Sequence, residues 1–283
     1  MYRGDSDGGQ RKGCGCGGGR LVIALVVAAF SVIGYLSQTQ VNPITGEKQR
    51  VSLSAEQEIA LGLQAAPQMA QEFGGIDRQN EPLVERVGQA IVDSSDADGS
   101  PYDQHFDFHA LADPNTVNAF ALPGGQIFIT RALLSRMTTE GQLAGVLGHE
   151  IAHVILRHSA ERIAKQQLTE GLTGAAVLAT YDPNNPESRN SAAVAQMIGG
   201  LINMKYGRED ELESDKYGVK FMAQAGYDPR SMIDVMKILA EAGGGSGGSE
   251  FFQTHPNPEN RIAKIEAAIK EVFPNGVPAG LKK

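Results

Sequence analysis

Apolar residues fall at helical spacing through most of this chain and give way to a β pattern in one short central stretch. A helix is predicted over residues 55–73, with Ser54 and Gln57 placed as a capping box. A second is predicted over 81–94, where Leu83, Val84, Val87, Ile91 and Val92 form the buried stripe. Residues 107–112, 116–122 and 126–130 read as three short strands, the last two flanking the turn signal Pro123-Gly124-Gly125. Then comes a strongly apolar helical stretch, 146–156, in which Gly148 leaves room for close packing. Segments 161–180 and 191–206 read as an αα-hairpin around the loop 182–186. Its apolar face would pack on the core, on a second subunit or against a membrane surface. Further helices are predicted over 206–218, over 227–242 with Asp228-Pro229 at the start, and from Arg261 to about Phe273, with the flexible tract GGGSGGS at 243–249.

The N-terminal region has another pattern. Residues 21–36 are an uncharged apolar run preceded by basic residues, which predicts an uncleaved signal anchor or a removed signal peptide over 21–38. The positive-inside rule leaves residues 1–20 as a disordered cytoplasmic tail and exports the body. Residues 39–53 read as a polar linker, 54–275 as the folded domain and 276–283 as a C-terminal tail. The net charge is −8, and residues 1–20 are positive, so the body is more acidic than the whole, which disfavours nucleic acid as a partner. Both cysteines, Cys14 and Cys16, lie in the tail, where the pair could bind a metal, take a lipid or simply stay solvated. The body has none and must be held by its core and a metal rather than by disulfides.

The metal is suggested by His149-Glu150-Ile-Ala-His153. On a helix the two histidines share one face and converge on a single ion, and Glu150 beside them can take a proton from water attacking a carbonyl. The flanking Leu143, Val146, Leu147, Ile151, Val154 and Ile155 would bury this helix, and burying two imidazoles and a carboxylate without partners is costly. Zinc with an open position fits such a set. It needs a third ligand, which a carboxylate on the acidic helix 206–218 supplies, where Glu211 and Asp215 lie four residues apart on one face. Asp215 would then steady a histidine from behind. His158, five residues beyond His153, falls about 140° further round and is predicted to stay out of the site. His105 and His109 read as strand or loop histidines. His255, in His-Pro after the glycine tract, could polarise the substrate carbonyl with Arg261 in support, or fill the metal's open position.

Taken together, the stretches NPITGEKQRVSLSAEQEIALG, VNAFALPGGQIFITRALL, AGVLGHEIAHVILRHSAER, ELESDKYGVKFMAQAGYDP and THPNPENRI resemble the CAAX-prenyl-endopeptidase and HtpX-like gluzincins, metallopeptidase family 48. The resemblance runs from about residue 42 to 265 and is nearest the family's exported bacterial branch. It implies zinc held by His149, His153 and Glu211, Glu150 as general base, and Asp215 beside the site, where a proton-donor role has been assigned. It also implies a substrate cleft lined by Asn118 and the strand residues Gln126, Ile127 and Phe128. Ala132 departs from the glycine common in relatives but touches no ligand.

The reading is an α+β fold, mostly α, of zincin type, with a small sheet beside the active-site helix and helices to the C-terminus. Its expected activity is zinc-dependent endopeptidase cleavage of misfolded or damaged envelope proteins, with one Zn²⁺ per chain and a homo-oligomer as a possible assembly. The expected location is the bacterial inner membrane with the catalytic domain in the periplasm, or the periplasm if the signal is cleaved. The alternatives are a membrane-tethered chaperone or assembly factor with a mainly structural zinc, and a processing protease with a single lipidated or membrane substrate.

Overall fold

The computed structural model describes residues 17–180, 205–242, 250–257 and 260–283. Cys14 and Cys16, the loop 182–186, most of the predicted helix 191–206 and the tract 243–249 lie outside the described residues. The chain forms two compact units. The described part of the first is helix α1 (Gly17–Ser37) with the stretch from Lys165 onward of a later helix. α1 carries the apolar run: Ala24 is buried, while Leu21, Val22, Ile23, Leu25, Phe30 and Ile33 are all more than half exposed. Among the described residues no helix is long and apolar enough to cross a membrane, so the anchor reading of 21–38 gains no support from helix length.

The second unit begins where a linker was expected. Strands β1 (Thr39–Val41) and β2 (Lys48–Arg50) pair antiparallel as a hairpin. Asn42 Oδ1 accepts from the backbone N–H groups of Ile44 and Thr45 and closes the turn. Helix α2 (Ala55–Glu72) starts at the predicted capping box of Ser54 and Gln57, and α3 (Glu81–Asp93) buries Val84, Val87, Ile91 and Val92.

Strands β3 (Asp107–Leu111), β4 (Ala119–Ala121) and β5 (Gln126–Thr130) form a sheet of order β3-β5-β4, with β3 parallel and β4 antiparallel to β5. The tight β4–β5 connection needs glycine: Gly124 has φ +83, and a Cβ on it would lie 2.3 Å from the Cα of Ile59 in α2. One small core, built on Met69, Phe73, Leu111, Phe120, Leu122 and Phe128, joins α2 to the sheet.

A single turn, α4 (Arg131–Leu134), leads to α5 (Glu140–Ile155), which starts at a capping box of Thr139 and Gln142 and is buried from Gly141 to its end. A helix buried all round belongs at the centre of a core. Around α5 pack β4, α3, α7 (Arg208–Gln224) and α8 (Ser231–Ala242). Between α5 and α7 comes α6 (His158–Thr180), whose first turns to Ala164 belong to the second unit. A short helix α9 (Phe251–Thr254) and then α10 (Arg261–Val272) complete the chain. The expected α+β, mostly helical fold with a small sheet beside the active-site helix is what the structure has.

Candidate active site

The site forms where α5 and α7 cross. Glycine meets glycine there: a Cβ on Gly148 would lie 3.3 Å from the carbonyl oxygen of Gly218, and one on Gly218 would lie 3.1 Å from the backbone nitrogen of His149. This close approach carries Glu211 and Asp215, one turn apart on α7, onto the histidine face of α5. The Nε2 atoms of His149 and His153 are 3.0 Å apart. The two oxygens of Glu211 sit 3.5 Å from them, Oε2 from His149 and Oε1 from His153. His255 follows α9, donates its backbone N–H to the carbonyl of Phe251, and stacks its ring on that phenyl group. Its Nδ1 is 3.1 Å from Glu211 Oε1 and its Nε2 is 3.6 Å from Glu150 Oε1. Asp215 Oδ1 accepts from His149 Nδ1 at 2.9 Å, and Arg261 donates through Nε and Nη2 to both oxygens of Asp215.

The charges follow from burial and neighbours. Burial opposes a charge on His149, but the carboxylates of Asp215 and Glu211 outweigh it and push the ring up to about 9. Burial holds His153 well below the usual histidine range. The carboxylates thus favour a proton on His149, whereas burial disfavours one on His153. Burial would raise Glu211, yet His255, His149 and His153 hold it well below the carboxylate range. Glu150 is raised by its burial.

Donor atoms of His149, His153, Glu211 and His255 all lie within 4.8 Å of one another, and all four residues are buried. Both oxygens of Glu150, Glu211 Oε2, His255 Nε2 and Arg261 Nη1 are buried without a hydrogen-bond partner. Buried polar atoms that make no hydrogen bond are costly, and a divalent cation among them removes much of that cost. Zinc bonds of about 2.0–2.1 Å to nitrogen and oxygen give a tetrahedron with edges of about 3.3 Å. The 3.0 Å between the histidine nitrogens and the 3.5 Å from each of them to one or other Glu211 oxygen lie on either side of that edge, so the residues present fit zinc.

Beside the cluster a cavity of about 230 Å³ is lined by Asn118, Phe120, Leu122, Tyr206 and His255 among others. Of the expected cleft residues, only Asn118 is there. Gln126, Ile127 and Phe128 are on β5, the central strand, and do not line it: Gln126 bonds His109 and the carbonyl of His105, Ile127 is in the main core, and Phe128 lies behind Phe120, on which it stacks. The cleft instead meets β4, which stands at the end of the strand order. His105 and His109 stay outside the cluster, as expected.

His158 also stays outside the donor cluster, but it is buried against a ligand rather than placed at the surface: its Nδ1 lies 2.9 Å from His153 Nδ1. The reason is a break in the helix. α5 ends at Ile155, and Arg157 takes φ +57, so the chain is not an uninterrupted helix between positions 153 and 158. Tyr206 was also missed. Its ring stacks on His153 with centroids 3.9 Å apart, and its hydroxyl meets Ser159 Oγ at 3.0 Å. The Arg157-His158 pair straight after the apolar helix was the available signal for the first; the second had none.

Residues 78–269 match the sequence profile of peptidase family M48. The chain belongs to that family. The expected family is thus borne out, and relatives within it carry the name metalloendopeptidase. Among relatives, the chain is 28% identical over 267 residues to the beta-barrel assembly-enhancing protease of Escherichia coli, covering 89% of this chain and 53% of that protein. It is 30% identical over 244 residues to the mitochondrial metalloendopeptidase OMA1 of Schizosaccharomyces pombe, covering 84% and 68%. With OMA1 of Saccharomyces cerevisiae the identity is 32% over 180 residues, covering 62% and 49%. The chain spans about half the length of the bacterial relative it matches.

Proposed function

We propose that this M48 chain is a zinc-dependent endopeptidase acting on unfolded or misassembled polypeptides of the bacterial envelope. The observation that carries the reading is Glu150, fully buried beside the donor cluster with neither carboxylate oxygen hydrogen-bonded. A structural zinc site has no use for such a group, which separates an enzyme from a chaperone or assembly factor. His149, His153 and Glu211 would hold the ion, which when bound polarises a peptide carbonyl and lowers the pKa of water.

The chain's own groups do the rest. Glu150 accepts the proton of the attacking water and passes it to the leaving amine nitrogen, a transfer that its raised pKa favours. Asp215 keeps the Nδ1 proton of His149 and is itself anchored by Arg261, so this ring presents Nε2 to the cluster. Arg261 Nη1, 3.2 Å from Glu211 Oε2, adds positive charge behind that ligand. His255 is read as completing the donor set in the resting chain, because it is fully buried and bonded to Glu211; a role at the oxyanion needs it to leave that bond. An extended peptide fits along β4, whose Phe120 and Ala121 line the cleft with the following Leu122, with main-chain pairing that demands no sequence.

The envelope assignment is supported by the name of the Escherichia coli relative, a beta-barrel assembly-enhancing protease, and by the exposed apolar face of α1, which suits a membrane surface. The test is cleavage of casein by the purified chain and by Glu150→Gln, with zinc content measured in both. Cleavage lost in the variant at unchanged zinc is expected. Equal cleavage in both, or none in either, overturns the reading.

A further inference from the structure

His158 has no part in the mechanism so far, yet it is 2% exposed and touches a ligand. A histidine that binds a metal through Nε2 must carry its proton on Nδ1. For His153 that Nδ1 faces His158 Nδ1 at 2.9 Å, so His158 has to accept there and carry its own proton on Nε2. The other side of the ring agrees: His158 Nε2 is 3.2 Å from Glu213 Oε2, a carboxylate oxygen that can only accept. Ser214 Oγ, at 3.3 Å from His158 Nδ1, is the more distant neighbour of the accepting nitrogen. Read from the metal outward, each proton in the row has one place to go.

We propose that His158 is a positioning residue of the metal site, accepting the Nδ1–H of His153 and thereby presenting the Nε2 lone pair to the cluster. It does for His153 what Asp215 does for His149, with an imidazole in place of a carboxylate. The inference rests on the reading of His149, His153 and Glu211 as metal ligands.

The local fold is built to put His158 there. The side-chain amides of Asn42 and Gln49 donate to the carbonyls of Ile155 and Leu156, the last acceptors of α5, which an uninterrupted helix would have kept for itself. Arg157 then takes its left-handed conformation with its guanidinium bonded to Glu58, Gln40 Oε1 and the carbonyl of Leu53. In a continuous helix position 158 would lie about 140° round from His153. The break, held by the β1–β2 hairpin and α2, turns it back.

The test compares zinc affinity, by competition with a chromogenic chelator, in the full chain, His158→Asn and His158→Leu. Asparagine keeps an acceptor near the position of Nδ1, whereas leucine has similar bulk and none. Losing such a partner commonly weakens metal binding about 10- to 100-fold. Leucine should show that loss and asparagine should stay within about threefold of the parent. Equal affinity in folded His158→Leu, or equal weakness in both variants, overturns the proposal. Failure of the parent chain itself to bind zinc overturns instead the ligand reading beneath it. Should neither variant fold, a two-bond proton–nitrogen correlation spectrum of the zinc-loaded parent decides: His158 protonated on Nε2 alone is expected, and a proton on its Nδ1 rules out the role.

Discussion

Replacing Arg157 with methionine tests how the end of the metal helix is held. The guanidinium donates from Nε to Glu58 at 2.8 Å, from Nη1 to Gln40 at 2.9 Å and from Nη2 to the Leu53 carbonyl at 2.8 Å, with a further contact to Glu58. Both charged partners are buried. Methionine has comparable bulk but leaves the Glu58 carboxyl without a counter-charge, and breaking a buried pair from one side costs about 3–5 kcal/mol. In a unit of this size each kcal/mol is worth about 2–4 °C, so the melting temperature should fall by roughly 6–20 °C at pH 7. Burial already pushes Glu58 up to about 7 against the pull of Arg157. In the variant the folded state therefore holds a proton that the unfolded chain has released above about pH 4.5, and stability should fall further as pH rises toward 8. The assay is thermal unfolding by circular dichroism at pH 5.5, 7 and 8. Arg157→Met combined with Glu58→Met should recover most of the loss, because apolar replacement of a whole buried pair is often neutral. A single variant that melts within a degree of the parent, or a double variant as unstable as the single, refutes the reasoning.

Two further outcomes follow from the site. Gly218→Val should cost about 1–3 kcal/mol by overpacking and weaken zinc binding as α7 backs away, since its Cβ would lie 2.9 Å from Met232 Cε and 3.1 Å from the backbone nitrogen of His149; calorimetry and chelator competition measure the two effects. Because His149 is raised from 6.5 to about 9, zinc must displace one proton from it below that value, so the zinc dissociation constant should fall about tenfold per pH unit as pH rises and level off near 9; an affinity independent of pH between about 7 and 9 contradicts the raised value.

The chemistry was legible where it depends on short spacing. His149 and His153 lie four apart on one helix, with Glu150 beside them, as Glu211 and Asp215 do on another, and the helical repeat alone places each pair on one face. The capping box of α2 and the glycine at the α5–α7 crossing were equally local signals. What failed was long-range. Strand order decides whether Gln126, Ile127 and Phe128 see the cleft, and nothing in three short strands says which becomes central. The polar residues 39–53 read as a linker because the groups they bond, the carbonyls of Ile155 and Leu156, lie more than 100 residues away. Without those contacts the break at Arg157 is invisible, and His158 is extrapolated along a helix that has already ended.

The central claim is that side chains from α5 and α7 grip one ion. Metal analysis of the purified chain and of Glu211→Ala, each dialysed against a mild chelator and checked for folding, tests it most directly. The account predicts about one zinc per chain in the parent and almost none in the variant. Full zinc retained by folded Glu211→Ala would contradict it.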